Sequence, residues 1–287
     1  MTMTTLSGRR RPPRGLAATT VRYLVLIVGA AIMVLPFLYM LSTSFKAQQF
    51  VLTVPPQLIP APATTANYGQ ALGSEDFGLY FLNSAIVTAV STAAAVLLSS
   101  MMAYGFARFR FPAREVLFRV LLIGLVVPAM MLIIPQFVLA KTLGLQDSLA
   151  GLIVFYVAGN LALNTFLLRG FFAAMPDELD QAMQVDGANA WTRYWRLAMP
   201  LAKPALATTT IFTFLSCWDE FAWALTLINT PEKRTLPVAI DLFQGQNATE
   251  WGLVFAASII AVVPVLVVFL VFQRYFVQGL TAGAVKG

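Results

Sequence analysis

The stretch WGLVFAASIIAVVPVLVVFLVFQRY, residues 251–275, decides the fold class of this protein. Its first 23 residues include no charged side chain, and Arg274 is the first that carries a charge. The hydrocarbon core of a bilayer is ~30 Å thick, so a helix needs about 20 mostly apolar residues to cross it. The stretch is therefore predicted to be a membrane-spanning helix.

The composition of the whole chain points the same way. Of 287 residues, 59% are hydrophobic and 11% are charged, and the mean hydropathy is +0.76. An average soluble domain has roughly 25% charged residues, so a soluble domain and a disordered chain are both excluded. Cys217 is the only cysteine, which excludes a disulfide framework. The absence of histidine excludes His-based triads, proton shuttles and His-ligated metal sites.

Six apolar runs are long enough to cross a membrane, and charged or Pro/Gly-rich segments separate them. They cover residues 21–44, 81–107, 116–139, 149–168, 206–228 and 251–275. The first run is too long for a removed signal peptide and lacks the small-residue cleavage pattern. The sequence predicts an all-α polytopic membrane protein with six transmembrane helices.

Lysine and arginine residues are concentrated in alternate loops, which sets the predicted orientation because basic loops stay in the cytoplasm. Fifteen of the 19 lie on one side: Arg9, Arg10, Arg11, Arg14, Arg22, Arg108, Arg110, Arg114, Arg119, Arg169, Arg193, Arg196, Lys203, Arg274 and Lys286. On the other side are Lys46, Lys141, Lys233 and Arg234. Both termini are therefore predicted to be cytoplasmic. Topology explains the net charge of +6 without nucleic acid, and the Arg-rich leader is expected to contact anionic membrane lipid.

The segments outside the membrane are short. Residues 1–20 form a cytoplasmic basic leader, 21–280 a six-helix transmembrane domain, and 281–287 a cytoplasmic tail. The first external segment, residues 54–67, contains four prolines that oppose a helix or a central strand, so we expect an extended strap. The largest cytoplasmic loop, 170–204, is long enough to carry structure of its own.

That loop begins MPDELDQAMQVDGA, residues 175–188. Pro176 at a first helical position, followed by acidic residues, predicts a helix start, and Gly187 can end the helix with a positive φ. A second amphipathic run covers residues 189–199 and is predicted to stop by Pro200. Its exposed aromatic edges have two interpretations that the pattern leaves open. They contact a partner protein, or they rest at the lipid headgroups.

The loop resembles the EAA motif of permease subunits in binding-protein-dependent ABC importers, roughly E-L-x-E-A-A-x-x-D-G-A followed later by L-P. The matching residues are Glu178, Leu179, Ala182, Asp186, Gly187 and Ala188, with Met199-Pro200 in place of Leu-Pro. Two positions depart from the motif, because Gln181 replaces the Glu of EAA and Met183 replaces its second Ala.

The resemblance extends over nearly the whole chain and is strongest to the carbohydrate-uptake branch, to subunits of the maltose-type G kind. Supporting stretches are FLNS at 81–84, YGFARF at 104–109, VP at 127–128, IP at 134–135, WDEF at 218–221 and GLTAGAVKG at 279–287. At position 219 this branch usually has Asn, and here it is Asp219.

The resemblance implies a non-enzymatic permease of the cell membrane with the type I ABC importer fold, which translocates a di- or oligosaccharide by alternating access. The loop would then be a coupling helix seated in a groove of an ATPase. Its docking residues would be Glu178, Leu179, Gln181, Ala182, Met183, Asp186, Gly187 and Ala188. The implied partners are a second homologous permease, two cytoplasmic ATPase subunits and an extracytoplasmic solute-binding protein.

No cofactor is expected in this chain, since ATP and Mg would be bound by the partner ATPase. The sequence contains no G-x-x-x-x-G-K-[ST] loop that could hold ATP phosphates.

Polar residues recur inside the fifth span. Thr209, Thr213, Ser216 and Glu220 follow one another at helical steps and would share one stripe of a continuous helix. A carboxylate in lipid costs ~2.5–3.5 kcal/mol, so the stripe must face protein or water. Either Glu220 pins this helix to a neighbour, or the stripe lines the path of the transported solute.

The fourth span offers a second stripe, and together the two stripes give the candidate path residues. They are Tyr156, Asn160, Asn164, Ser216, Trp218, Asp219, Glu220 and Trp223. Small residues at 84, 88, 91, 95 and 99 favour close helix packing in the second span. In the third span, Pro128 and Pro135 predict a kink.

Other function classes compete with an ATP-driven importer. A secondary transporter would use Asp219 and Glu220 for ion coupling, but it predicts an internal repeat that the six spans do not show. An intramembrane enzyme would need a nucleophile and base or metal ligands, and without His it has few candidates. Within the importer interpretation, a sugar-phosphate or a polyol is the alternative substrate.

Overall fold

The structure is a computed structural model that describes residues 16–74, 76–244 and 249–284, with side chains from 19 to 274 within those ranges. In these ranges the chain forms helices and turns, and its single β-bridge joins Lys46 to Ala63. The predicted all-α class is therefore confirmed for the described residues. Most of the predicted leader and residues 285–287 of the predicted tail lie outside them.

In chain order the helices are α1 (Leu16–Ser44), α2 (Ala66–Gly73), α3 (Phe77–Arg108), α4 (Arg114–Ile123), α5 (Ile133–Thr142), α6 (Leu149–Ala173), α7 (Asp177–Val185), α8 (Ala190–Arg193), α9 (Met199–Leu201), α10 (Lys203–Trp218), α11 (Ala222–Leu227), α12 (Leu236–Leu242) and α13 (Trp251–Ala284). Four of them, α1, α3, α6 and α13, contain segments long and apolar enough to cross a membrane. These four coincide with the first, second, fourth and sixth predicted spans.

The third predicted span is broken, and this differs from the expected kinked helix. α4 ends at Ile123, and α5 begins at Ile133 after a short 3₁₀ turn, Ala129–Leu132. The break falls at Pro128, which has no N–H to donate and disfavours helical backbone in the residue before it. Pro135 lies in the first turn of α5, where its missing N–H costs little and no kink results.

The fifth predicted span is also broken, at residues 219–221 between α10 and α11. The expected continuous helix is therefore wrong here, and so is the expected stripe that carries Glu220 in line with Thr213 and Ser216. The physical reason is the Glu220 carboxylate, which accepts hydrogen bonds from the backbone N–H groups of Trp223 (2.7 Å) and Ala224 (3.0 Å). A side chain that satisfies these free donors stabilises a new helix start.

The core is built on α3, which packs along α6 and also contacts α10. The predicted packing face of α3 is confirmed, since all five small residues are buried: Ser84, Thr88, Ser91, Ala95 and Ser99. Small side chains let helix backbones approach closely. Between α6 and α10, Asn164 donates to the Thr213 hydroxyl at 2.8 Å, and both residues are buried.

The connecting segments meet at two ends of the helix assembly. At one end, Arg169 near the end of α6 pairs with Glu115 at the start of α4 at 2.6 Å. At the other end, Lys233 pairs with Asp147 at 3.3 Å, and Asn83 donates to the Glu232 carbonyl at 2.8 Å. The two ends coincide with the two groups of basic loops that the sequence analysis separated.

The proline-rich segment runs without regular helix from residue 54 to residue 65 and folds back on the end of α1. This agrees with the expected strap except at residues 66 and 67, which form the start of α2. Lys46 is 1% exposed, donates to the backbone carbonyl of Gln57, and lies 5.0 Å from the ring centre of Tyr39. Burial lowers the pKa of Lys46. Asn67 donates to the Lys46 carbonyl at 2.8 Å, so the strap and the start of α2 enclose this lysine.

Candidate functional site

The loop between α6 and α10 contains the first predicted helix, α7, and its ends show why it forms there. Pro176 precedes α7 as the N-cap residue, one position earlier than predicted, and acidic residues occupy the first turn. Gly187 has φ +80° and ends the helix as predicted. Its N–H donates to Gln184 O at 3.0 Å and the Ala188 N–H donates to Met183 O at 2.9 Å, a Schellman motif.

The second half of the loop is less regular than predicted. Asn189 caps α8 by accepting the Thr192 N–H at 2.8 Å, and a π turn (Tyr194–Ala198) joins α8 to α9. The helix does not stop by Pro200 but runs to Leu201. The register of the backbone hydrogen bonds shifts in the π turn, where the Met199 N–H donates to Tyr194 O, five residues earlier. Pro200 is tolerated in the helix because of this shift.

The loop presents apolar side chains without covering them. Val185 is 88% exposed, Trp191 57% and Leu179 43%. Of the predicted docking residues, six are exposed and two, Met183 and Ala188, are half-buried. Apolar side chains on a short element outside the membrane helices are typical of a surface that binds another protein.

Two arginines form ion pairs with α7, one at the end of the long helix α3 and one in the loop helix α8. Arg108, the last residue of α3, pairs with Asp177 and donates to the Met175 carbonyl at 2.7 Å. Arg193 of α8 pairs with Asp180 at 2.7 Å, and the two side chains are 11% and 18% exposed. α7 is thus fixed by ion pairs at its start and in its middle, while its opposite side stays exposed.

Tyr194 links the same loop to α3. Its hydroxyl lies 2.6 Å from the Ser100 hydroxyl, and its ring centre is 5.3 Å from that of Tyr104. Tyr194 is 2% exposed, and burial raises its pKa. Packed side chains rather than a flexible link therefore join the loop to α3.

The second candidate site lies at the break between α10 and α11. Besides capping α11, Glu220 accepts a hydrogen bond from the Tyr156 hydroxyl of α6 at 2.6 Å. Asn160, one turn further along α6, donates to the Tyr156 carbonyl at 2.9 Å. The Glu220 carboxylate therefore receives three hydrogen bonds from the protein, and the pinning role that the sequence left open is present in the structure.

A cavity of about 220 Å³ adjoins this cluster. Its walls come from the turn after Pro128, from α5, α6 and the end of α10, and from α11. The lining residues are Ala129, Met130, Ile133, Gln136, Phe155, Tyr156, Gly159, Asn160, Ser216, Glu220, Ala222 and Trp223. Five of the eight predicted path residues are among them, so the structure brings together Tyr156, Asn160, Ser216, Glu220 and Trp223.

The other three predicted path residues lie elsewhere. Asn164 is buried against Thr213. Trp218 is 3% exposed, stacks on Phe214 at 5.7 Å between ring centres and donates to the Ala261 carbonyl at 3.1 Å. With Asp219 it borders a separate cavity of about 420 Å³ between α10, α12 and α13. The helix break separates Asp219 from Glu220, which is why adjacent residues reach different cavities.

Sequence reasoning missed several residues that the geometry singles out. Gln136 lines the smaller cavity, and it is the one polar side chain between residues 120 and 139, a signal that the sequence did contain. Arg108 and Arg193 contributed only to the predicted topology and Asp180 was not singled out, because their partners lie far away in the chain or across a turn.

Chemically, neither site has the parts of an enzyme. Among the described residues, no group of three His, Cys, Asp or Glu side chains is placed to hold a metal ion. Four helices long and apolar enough to cross a membrane, an exposed, ion-paired loop helix and a polar cavity at two helix breaks are together typical of a membrane transport subunit.

The chain belongs to the family of binding-protein-dependent transport system inner membrane components, whose model matches residues 95–282. It is therefore a multi-pass membrane protein and an ABC transporter permease, not an enzyme. The predicted family and location are confirmed.

Three relatives show the range of this likeness. The chain is 34% identical to the sulfoquinovosyl glycerol transport system permease SmoH of Agrobacterium fabrum, over 88% of each chain. It is 35% identical to the trehalose/maltose transport system permease MalG of Thermococcus litoralis, over 92% of this chain and 97% of that one. A solved bacterial ABC transporter involved in import of the acidic polysaccharide alginate contains a chain that is 25% identical, with a TM-score of 0.79 over 93% of this chain and 100% of that one.

Proposed function

We propose that this chain is the permease subunit of an ATP-driven importer that moves a di- or oligosaccharide across the membrane by alternating access. The observation that carries the proposal is α7, a helix with exposed apolar residues that pairs with Arg108 at the end of α3 and with Arg193 of α8. Relatives named for sugar and glycoside transport support a carbohydrate as the solute.

The coupling role follows from what α7 touches. Six of the eight predicted docking residues are exposed, whereas Asp177 and Asp180 of the same helix are paired with Arg108 and Arg193. A partner ATPase that moves α7 on binding ATP would pull on α3 and α8 through these ion pairs. ATP and Mg belong to that ATPase in this proposal.

The membrane topology in this proposal has six crossings. The two broken runs, α4 with α5 and α10 with α11, each count as one crossing beside the four long helices. Residues 1–20 and 281–287 then lie in the cytoplasm, on the side of loop 170–204, and residues 21–280 form one transmembrane domain. The basic loops gathered at the α7 end support this orientation.

Further subunits complete the proposed path. A second, homologous permease would close the cavities that this chain leaves open to one side, and an extracytoplasmic solute-binding protein would deliver the sugar. The path residues on this chain would be those at the α10–α11 break, with Tyr156 and Glu220 holding the break in shape.

The test is to purify the tagged chain from its native membrane in mild detergent and to identify the proteins that accompany it. The complex is then reconstituted into vesicles with the binding protein, and ATP hydrolysis and uptake of radiolabelled sugars are measured. We expect an ATPase and a second permease in the eluate, and ATP-dependent uptake. A chain that elutes alone and shows no ATP-dependent uptake would overturn the proposal.

A further inference from the structure

A further cavity lies at the end of the assembly that carries α7, where the chain turns from α3 into α4. Its volume is about 410 Å³, and it is lined by Arg110, Phe111, Ala113, Arg114, Glu115 and Val116. α3 is one of the four helices long and apolar enough to cross a membrane, and it ends at Arg108, just before this turn. The cavity is therefore at the depth where a membrane helix leaves the bilayer, which is the level of the lipid headgroups.

Positive charge at this cavity exceeds the negative charge available to balance it. Among the described lining residues, Glu115 is the one acid, and it already pairs with Arg114 at 3.0 Å and with Arg169 at 2.6 Å. Arg110 is exposed and has no ion-pair partner among the described residues. An unpaired guanidinium on a concave surface is suited to a phosphate, because its planar N–H groups match two phosphate oxygens at once.

Contacts around the turn hold the walls of the cavity in place. Arg114 donates to the Phe109 carbonyl at 3.2 Å, which ties the start of α4 to the end of α3. The ring centre of Phe106 is 6.0 Å from that of Phe111 and 5.5 Å from that of Phe118. Packed aromatic rings thus support the turn, so a ligand would meet a largely preformed site and lose little affinity to ordering it.

Exposed apolar side chains continue from the cavity along α4. Val116, Leu117 and Val120 are all exposed, and they lie in the third predicted crossing, residues 116–139. A free phosphate or a nucleotide would contact the arginines and leave these side chains uncovered. An amphiphile with an anionic head and acyl chains matches both the arginines and the apolar side chains beside them.

We propose that this cavity binds the headgroup of an anionic phospholipid such as phosphatidylglycerol. Arg110 and Arg114 would donate to the phosphate oxygens, and the acyl chains would lie along Val116 and Val120 of α4. The volume of about 410 Å³ equals roughly 14 waters at ~30 Å³ each, which leaves room for a phosphate and the attached glycerol. The site goes beyond the proposed function and holds whichever solute the transporter carries.

The test measures lipid binding to the purified full chain and to its complex by native mass spectrometry. The probes are phosphatidylglycerol, phosphatidylcholine with the same acyl chains, and glycerol 3-phosphate as a soluble headgroup. Arg110→Gln removes the unpaired charge without breaking an ion pair in the described fold. Arg22→Gln is the matched control, because Arg22 is an exposed arginine near the start of α1, at the same end of the assembly, and does not line the cavity.

We expect the wild type to bind phosphatidylglycerol more tightly than phosphatidylcholine. Arg110→Gln should weaken phosphatidylglycerol binding about fivefold and leave the thermal midpoint unchanged, since one basic group near the membrane surface is lost. Val116→Ser should weaken it about threefold, because an acyl chain loses an apolar contact. Arg22→Gln should bind both lipids as the wild type does.

Equal binding of the two lipids by the wild type would overturn the site. An equal loss in Arg110→Gln and Arg22→Gln would also overturn it, because only the general attraction of basic residues for anionic lipid would then remain. Displacement of phosphatidylglycerol by glycerol 3-phosphate at a similar concentration would show a site for soluble anions instead.

The complex provides the remaining outcome. If Arg110→Gln lowers phosphatidylglycerol binding in the isolated chain but not in the complex, a partner subunit covers the cavity, and the lipid is not its occupant in the transporter. Failure of the proposed function gives a different result, in which the wild type lacks ATP-dependent sugar uptake whatever lipid it binds.

Discussion

Asp147 joins the turn before α6 to α11 and the segment after it through both its backbone and its side chain. Its N–H donates to the Leu227 carbonyl at 3.1 Å, and its carbonyl accepts from Lys233 Nζ at 2.7 Å. Its carboxylate accepts the N–H groups of Asn229 and Thr230, each at 2.9 Å, and the Thr230 hydroxyl at 2.5 Å, and Lys233 lies 3.3 Å away. The hydrogen bonds from Thr230, Asn229 and Lys233 hold the pKa of this carboxyl well below its usual range. The residue adopts φ +50°, a conformation that Asp and Asn tolerate.

Asp147→Asn is expected to destabilise the protein by about 1–3 kcal/mol, because it removes a charged acceptor but keeps the shape. With a depressed folded-state pKa, the wild-type carboxylate stabilises fully above the unfolded value of ~3.9, and this contribution is lost as the pH falls through the folded-state pKa. Thermal unfolding of the detergent-solubilised chain from pH 7 to pH 3 measures both effects. The variant should show less acid sensitivity than the wild type. Asp241→Asn, an exposed carboxylate on α12, is the control, and an equal loss in both variants would contradict the assignment.

Gly187 is important for its backbone conformation, and a side chain at this position would not collide with neighbouring atoms. A Cβ there would meet nothing within 4 Å, but φ is +80°, which a β-branched residue adopts only with strain of roughly 1–2 kcal/mol. Gly187→Val should leave membrane insertion intact and weaken co-purification of the ATPase, since the end of α7 changes shape. Gly105→Ala is the matched control, because Gly105 lies inside α3 and a Cβ there would also meet nothing within 4 Å. Full retention of the ATPase by Gly187→Val would count against docking through this loop.

At the scale of elements, α7 is held by ion pairs at Asp177 and Asp180 and presents exposed apolar side chains at Leu179 and Val185. Arg193 and Asp180 are largely buried, so removal of one partner leaves a costly unpaired charge. Arg193 is also adjacent to Tyr194, which contacts α3. The position of α7 relative to the membrane helices thus depends on this pair.

Asp180→Asn and Arg193→Gln should each reduce sugar uptake per ATP hydrolysed, by about three- to tenfold, while the ATPase remains bound. The double variant should be no worse than the worse single one, because both changes remove the same contact. Arg196→Gln, an exposed arginine of the same loop, should behave like wild type. Strictly additive losses in the double variant would show that the two residues do not act through each other.

The helices also show how much of the fold can be predicted from the sequence. Apolar length alone located α1, α3, α6 and α13, because the cost of burying polar residues in lipid accumulates along the chain. The break at Pro128 had a local signal in the proline itself. The break after Trp218 had none, because it depends on Glu220 bonding to N–H groups that a continuous helix would have used.

At the scale of the whole molecule, the two ends of the assembly have different chemistry. Basic loops surround α7, while the strap, Asp147 and the segment after α11 meet at the opposite end. The outer surface between them is apolar, since α1 is exposed from residue 19 to residue 38 in this single chain. Lipid and a second permease are the proposed neighbours of that surface.

Cysteine labelling in right-side-out membrane vesicles tests the proposed orientation. In a Cys217→Ala background, Ile59→Cys in the strap and Val185→Cys in α7 are comparable positions, 79% and 88% exposed. A membrane-impermeant maleimide should label residue 59 in sealed vesicles and residue 185 only after they are opened. Labelling of residue 185 in sealed vesicles would reverse the topology.

The sequence by itself determined the membrane class, the positions of the long helices, the grouping of basic loops and the form of the α7 turn. These properties follow from hydropathy, charge and backbone preference, which act locally or add up along the chain. Only the tertiary structure decided which polar residues share a cavity. Tyr156 and Glu220 are 64 residues apart, and their hydrogen bond exists because α6 and α10 pack on α3. The same packing lets the Trp218 indole N–H donate to the Ala261 carbonyl, whereas the Trp223 indole N–H has no hydrogen-bond partner among the described residues. The spacing of the two residues in the sequence does not predict this difference.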